Sequence, residues 1–191
     1  MWKMLYFWKK ENSLLDFMKK ILVLLLVVSV QLFSSCEKDD ICDPNTPTTP
    51  RLIVDFSHIQ DPTKTKNVTD LAIVGDGMTT GILFPSESKI QVPLQLTEDT
   101  TKYSFILNSK NSNPALIFTD VIEFNYSRKT VYVSRACGYK TVFDLNNDIT
   151  LPNPYVLNND PTASTGNWIK FLTIENYNIE NENETHIKIY F

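Results

Sequence analysis

The chain has 191 residues, is 42% hydrophobic and 21% charged, and carries a formal net charge of −4. That length suits one domain. An acidic balance without a basic, aromatic-laced patch argues against nucleic acid as a partner, and two histidines leave little material for a histidine-based metal or catalytic centre.

Residues 1–17, MWKMLYFWKKENSLLDF, are aromatic and carry Glu11 and Asp16, unlike the start of an exported chain. Met18-Lys19-Lys20 is a typical start, so residues 1–17 are expected to be an extension upstream of the true initiator. Lys19 and Lys20 form a positive n-region, and Ile21 to Val30 form an apolar run broken only by Ser29. A spanning helix needs about 20 apolar residues. This run is shorter, and small residues follow it, so 18–35 reads as a secretory signal.

Leu32-Phe-Ser-Ser precede Cys36, and the chain then turns acidic. The pattern resembles a bacterial lipobox. That resemblance implies a diacylglyceryl thioether on Cys36, cleavage after Ser35 and an acylated new N-terminus. An ordinary cleaved signal with a chance cysteine is the alternative. Glu37-Lys38-Asp39-Asp40 resembles the surface-export signal of Bacteroidetes lipoproteins, which implies that Lys38, Asp39 and Asp40 direct the domain to the outer face of the outer membrane. The alternative is a solvated charged tether on a periplasm-facing protein.

Removing residues 1–35 leaves 156 residues with 13 basic and 20 acidic side chains, a net charge of −7. If lipid consumes Cys36, Cys42 and Cys137 remain. Two thiols in an oxidising envelope predict a disulfide. Zinc is the competing reading, but two cysteines without clustered histidines fall short of a structural site. Residues 36–50 read as a tether, and Asp43-Pro-Asn-Thr-Pro-Thr-Thr-Pro50 is expected to be extended and semi-rigid.

From Arg51 to Phe191 the pattern is that of strands. Leu52–Phe56 and Val68–Val74 are the first two, the second ending in the turn signal Gly75-Asp-Gly77. Gly81–Phe84 is expected to stop at Pro85. Lys89–Leu96 and Lys102–Leu107 read as a hairpin around Thr97–Thr101. Leu116–Tyr126 and Thr130–Tyr139 read as a second hairpin around Ser127–Lys129. Val142–Leu145 continues past a kink at Gly138. Trp168–Glu175 and Thr185–Phe191 close the chain. Alternation puts Ile187, Ile189 and Phe191 on one face and His186, Lys188 and Tyr190 on the other. The last strand is either well paired or an exposed edge. About nine short strands without helical periodicity predict an all-β fold, an antiparallel β-sandwich of Ig-like or transthyretin-like kind, with a small barrel as runner-up.

The stretch Glu123–Phe143, EFNYSRKTVYVSRACGYKTVF, resembles a family of uncharacterised Bacteroidetes lipoproteins carrying a domain of unknown function. The Cys42 segment with its Thr-Pro, Arg51-Leu-Ile-Val and Asn167-Trp-Ile-Lys170 share the resemblance. It would span residues 36–191. It implies an envelope compartment and no particular chemistry.

Candidate sites are few. His58 follows a strand, and His186 is expected to face solvent. Asp144, Asp148 and Asp160 lie among asparagines, where calcium competes with plain turn formation. Arg128 and Arg135 flank an apolar strand face and are expected to snorkel or pair with carboxylates. Trp168, Tyr155 and Tyr139 would form a sugar platform if they converged, although scattered aromatics in a sandwich are usually core. Asp99-Thr100-Thr101 resembles the O-glycosylation acceptor of Bacteroidetes envelope proteins, which implies Thr100 as the acceptor, in a hairpin loop. Glycoside cleavage needs only two convergent carboxylates, and Glu87, Glu98, Asp120, Glu123 and Asp144 are available. No catalytic set, metal or cofactor emerges. The expected role is a non-catalytic binding or structural module anchored to the outer membrane by its N-terminal lipid, with a protein or glycan partner. A surface glycan hydrolase and a periplasm-facing assembly factor are the alternatives.

Overall fold

The computed structural model describes residues 18–29, 41–163 and 165–191. Cys36, Lys38, Asp39 and Asp40 lie outside them, as do residues 1–17. The chain divides into two compact units, Met1–Cys42 and Asp43–Phe191. In the first, residues 18–29 form a helix with an exposed apolar surface from Ile21 to Val28. Among the described residues no helix is long and apolar enough to cross a membrane.

The second unit is a β-sandwich. Its strands are β1 (Leu52–His58), β2 (Asp61–Thr65), β3 (Val68–Gly75), β4 (Ile82–Glu87), β5 (Lys89–Val92) and β6 (Thr100–Leu107), followed by β7 (Phe118–Ser134), β8 (Gly138–Leu145), β9 (Tyr155–Leu157), β10 (Phe171–Ile174), β11 (Asn178–Ile179) and β12 (Ile187–Tyr190). One sheet has the order β10-β12-β1-β2, with β5 also on β1. The other has the order β11-β8-β7-β6-β3-β4, with β9 also on β7. Pairing is antiparallel except for β1 with β12.

The sheets face each other across one core. Leu52, Val54 and Phe56 of β1 and Ile187 and Ile189 of β12 meet Phe105 of β6, Ile122 and Phe124 of β7 and Phe143 of β8. All are at most 2% exposed. Burying each such side chain contributes about 1.5–3 kcal/mol, which is why the alternation on these strands is so strict.

The C-terminal strand is central, not an edge: β12 pairs with β10 on one side and β1 on the other. Tyr190, stacked on Phe171, and the preceding His186 are buried as well. His186 therefore does not face solvent. Its Nδ1 accepts the Ile53 amide at 2.9 Å, and its backbone N–H donates to the Ile53 carbonyl.

Three turn expectations change. Thr97–Thr101 joins no hairpin: β5 belongs to the first sheet and β6 to the second, so the segment crosses between layers, and strand β5 stops at Val92, just before Pro93. Ser127–Lys129 is not a turn either. β7 runs unbroken through it, and the chain reverses at residues 135–137. Polar residues there signalled solvent exposure rather than reversal. Finally, β4 continues through Pro85, because β4 is the sheet edge and a missing N–H is tolerated at an edge. Asn108, Asn158 and Asn159 adopt positive φ, a conformation asparagine tolerates.

Candidate functional site

β7 has two halves with different surroundings. Residues 118–125 pair with β6 and carry core side chains. Residues 126–134 pair with β8, with Tyr132 opposite Tyr139. From Ser127 to Thr141 no residue is buried. This end of the β7–β8 hairpin is a two-stranded ribbon standing out from the core. At its end Tyr132 and Tyr139 are 58% and 69% exposed and pack edge to face, with centroids 5.4 Å apart. Gly138, at φ +70°, starts β8 after the turn, and a Cβ there would be strained.

Cys42 and Cys137 are disulfide-bonded, as two thiols in an oxidising compartment predicted. Cys137 sits in the hairpin turn, so the bond fixes the start of the domain to the ribbon's end. Asp43–Pro50, read in sequence as spacer, joins the domain. Asp43 caps a turn by accepting the Asn45 and Thr46 amides. Thr49 Oγ1 accepts the Thr141 amide at 3.0 Å, and Pro50 is buried. Arg51 then clasps Glu182 through two side-chain bonds of 2.7 Å, and its backbone N–H adds a third at 2.9 Å. That contact holds the Glu182 carboxyl below its ordinary range and raises the Arg51 guanidinium. A hollow of about 270 Å³ lies between this segment and Glu180–Asn183.

Asp120 is the residue that sequence reasoning misjudged most. Offered as one of a catalytic pair, it is fully buried and committed to structure. Oδ1 accepts the Asn167 amide at 2.6 Å and Asn158 Nδ2 at 2.8 Å. Oδ2 accepts the amides of Trp168 at 2.8 Å and Ile169 at 2.9 Å. The carboxylate thus serves as the acceptor for a loop that has no sheet partner. The loop delivers Trp168 to the core, where its Nε1 donates to the Phe105 carbonyl and its ring packs on Phe56 and Phe191. The signal in sequence was the run Gly166-Asn-Trp-Ile, since only glycine fits so close to a carboxylate.

The other candidates disperse. Glu123 pairs with Lys102, while Glu87, Glu98 and Asp144 are exposed. His58 Nδ1 accepts the Gln60 amide. Asp148 and Asp160 each bind a threonine two residues on, through its amide and hydroxyl, and these bonds hold both carboxyls below the usual range. That is turn chemistry. Among the described residues no group of three or more His, Cys, Asp or Glu side chains comes together. Arg128 reaches back to Asp99 at 2.7 Å and to the Leu96 carbonyl, the structural pair expected of it, and Arg135 stands in the turn rather than on a strand. Trp168 is core and Tyr139 is at the ribbon's end, so no sugar platform forms from them. Thr100 is exposed, but it opens β6 instead of sitting in a hairpin loop.

Residues 70–191 match the profile of a family of unknown function, DUF6452. This chain belongs to that family. No curated protein and no solved structure matches it. The DUF6452 match takes in the ribbon, Cys137, Asp120 and the Gly166 loop. It begins after β1 and β2, so Cys42 lies outside it.

Proposed function

We propose that this DUF6452 protein is an envelope lipoprotein, held to the outer membrane through lipid on Cys36, whose sandwich is a non-catalytic binding or structural module at the cell surface. The observation that carries the reading is the Cys42–Cys137 disulfide. It fits an oxidising compartment, and it ties the domain to the chain six residues beyond the lipobox-like cysteine. The commitment of Asp120, His186 and the turn aspartates to backbone contacts favours a module over a hydrolase.

Two measurements test this. Mass spectrometry of the N-terminal peptide from the purified protein is expected to show a diacylglyceryl group on Cys36; an unmodified cysteine would end the reading. Protease treatment of intact cells is expected to digest the native protein but spare the variant with Lys38, Asp39 and Asp40 changed to alanine. Protection of both would place the domain in the periplasm and favour the assembly-factor alternative. Turnover of a glycan substrate by the purified protein would refute the non-catalytic part.

A further inference from the structure

We infer that the end of the β7–β8 ribbon is a second membrane contact, resting on an anionic lipid headgroup layer beside the anchor. The inference depends on lipidation of Cys36 and adds to it a defined orientation of the domain.

Covalent reach comes first. Cys42 lies six positions after Cys36, and an extended chain covers at most about 3.6 Å per residue. The disulfide carries that limit to Cys137 in the ribbon turn. With lipid on Cys36, the ribbon turn lies within about 20–25 Å of the membrane surface.

Charge comes second. From Asn125 to Phe143 the chain has Arg128, Lys129, Arg135 and Lys140 and no acid. The remainder of Asp43–Phe191 has eight basic and seventeen acidic residues. Arg128 is paired with Asp99. Lys129 is exposed, and Lys140 Nζ donates only to the Glu180 carbonyl, a neutral group. The segment Glu37–Asp40 nets −2, less than the ribbon's positive charge. An anionic surface attracts the ribbon and repels the rest of the domain, and basic groups within a Debye length of such a surface are attracted to it.

Side-chain type comes third. Tyr132 and Tyr139 are large, exposed and adjacent, and they stand on a stretch, residues 127–141, in which no residue is fully buried. Tyrosine is enriched where a membrane meets water, because its ring is apolar and its hydroxyl is wet. Tyr132 and Tyr139 lie on one face of the ribbon and Lys129 and Lys140 on the other, so a ribbon that enters end-on presents the aromatic pair and the cations to that layer together.

The test uses the lipidated full-length product reconstituted into phosphatidylglycerol-containing vesicles with brominated lipid. After residue 35 the sequence has a single tryptophan, Trp168, which is buried. Tyr132→Trp therefore adds a reporter on the ribbon, and Ile149→Trp adds one on the loop beyond the far end of β8; both positions are exposed. The expected result is strong quenching of the indole at position 132 and little at 149. Adding Lys129→Glu and Lys140→Glu is expected to weaken the contact by at least about fivefold per reversed charge. Equal quenching at the two positions, or none at 132, on a protein whose mass shows lipid at Cys36 overturns this inference and leaves the anchor intact. Quenching that survives the charge reversals overturns the part assigned to the lysines. An unmodified Cys36 overturns both readings.

Discussion

Gly166 and Asp120 are made for each other. A Cβ on residue 166 would stand less than 3.0 Å from all three atoms of the Asp120 carboxyl group, so only glycine lets the loop close around that side chain. Gly166→Ala is expected to destabilise the domain, and Asp120→Ala to do so more strongly. The alanine at 120 leaves the buried amides of Trp168 and Ile169 and the part-buried amide of Asn167 without an acceptor, at roughly 3–5 kcal/mol in all. Denaturant midpoints of the two variants check this. An unfolding free energy for Asp120→Ala within about 1 kcal/mol of the parent would show that the loop finds other acceptors.

The disulfide closes a long loop. In the chain-entropy account a closure of nearly a hundred residues stabilises by about 4–5 kcal/mol, and removing a native bridge usually costs 2–5 kcal/mol. Cys42→Ser with Cys137→Ser is expected to lower the unfolding free energy by an amount in that range, and the melting temperature with it. A reducing agent should do the same to the parent and nothing to the double variant. Core packing is remote from the bridge, so the double variant is expected to keep its far-ultraviolet spectrum.

His186 supplies a pH dependence. Burial pushes its pKa below the ordinary 6.5, against the pull of Glu184 and Glu182. The folded state therefore holds it neutral, consistent with Nδ1 accepting the Ile53 amide. On unfolding it binds a proton at any pH between its folded and unfolded values. Stability is fully present above about pH 6.5 and falls as the pH drops from there toward the folded pKa. His186→Gln retains an acceptor and does not titrate. Its stability is expected to be flatter between pH 7 and pH 5 than the parent's, in chemical denaturation at each pH. Identical slopes would show that other groups set the dependence.

Arg51 and Glu182 offer a contrast in magnitude. Their fork is well formed but largely exposed, and such pairs contribute about 0–1 kcal/mol. Arg51→Ala is expected to change the unfolding free energy by no more than that. Its larger effect should be local, with faster hydrogen exchange at the amides of residues 46, 48, 49 and 51, because the clasp fastens that segment.

Much of the architecture was legible before the structure. Alternation along Ile187–Phe191 and Ile122–Tyr126 marked two core strands, since a side chain on a pleated strand reaches only one face. The two leftover cysteines pointed to their own bridge. The apolar run after Lys20 and the lipobox-like join before Glu37 are properties of local sequence and need no folding to be read.

What the tertiary structure alone decided was partnership. Whether Thr97–Thr101 turned back on itself or crossed to the other sheet depended on which neighbours β5 and β6 found, and no local pattern encodes a neighbour. The same holds for β12, whose parallel place beside β1 buries His186 that alternation would have put in water. Asp120 is the sharpest case. Its sequence says only that a carboxylate is present; three amides from a loop almost fifty residues away decide that it is a structural acceptor. Residue types and their periods are written locally, whereas the burial of a polar group and the use made of it follow from what the rest of the chain brings to it.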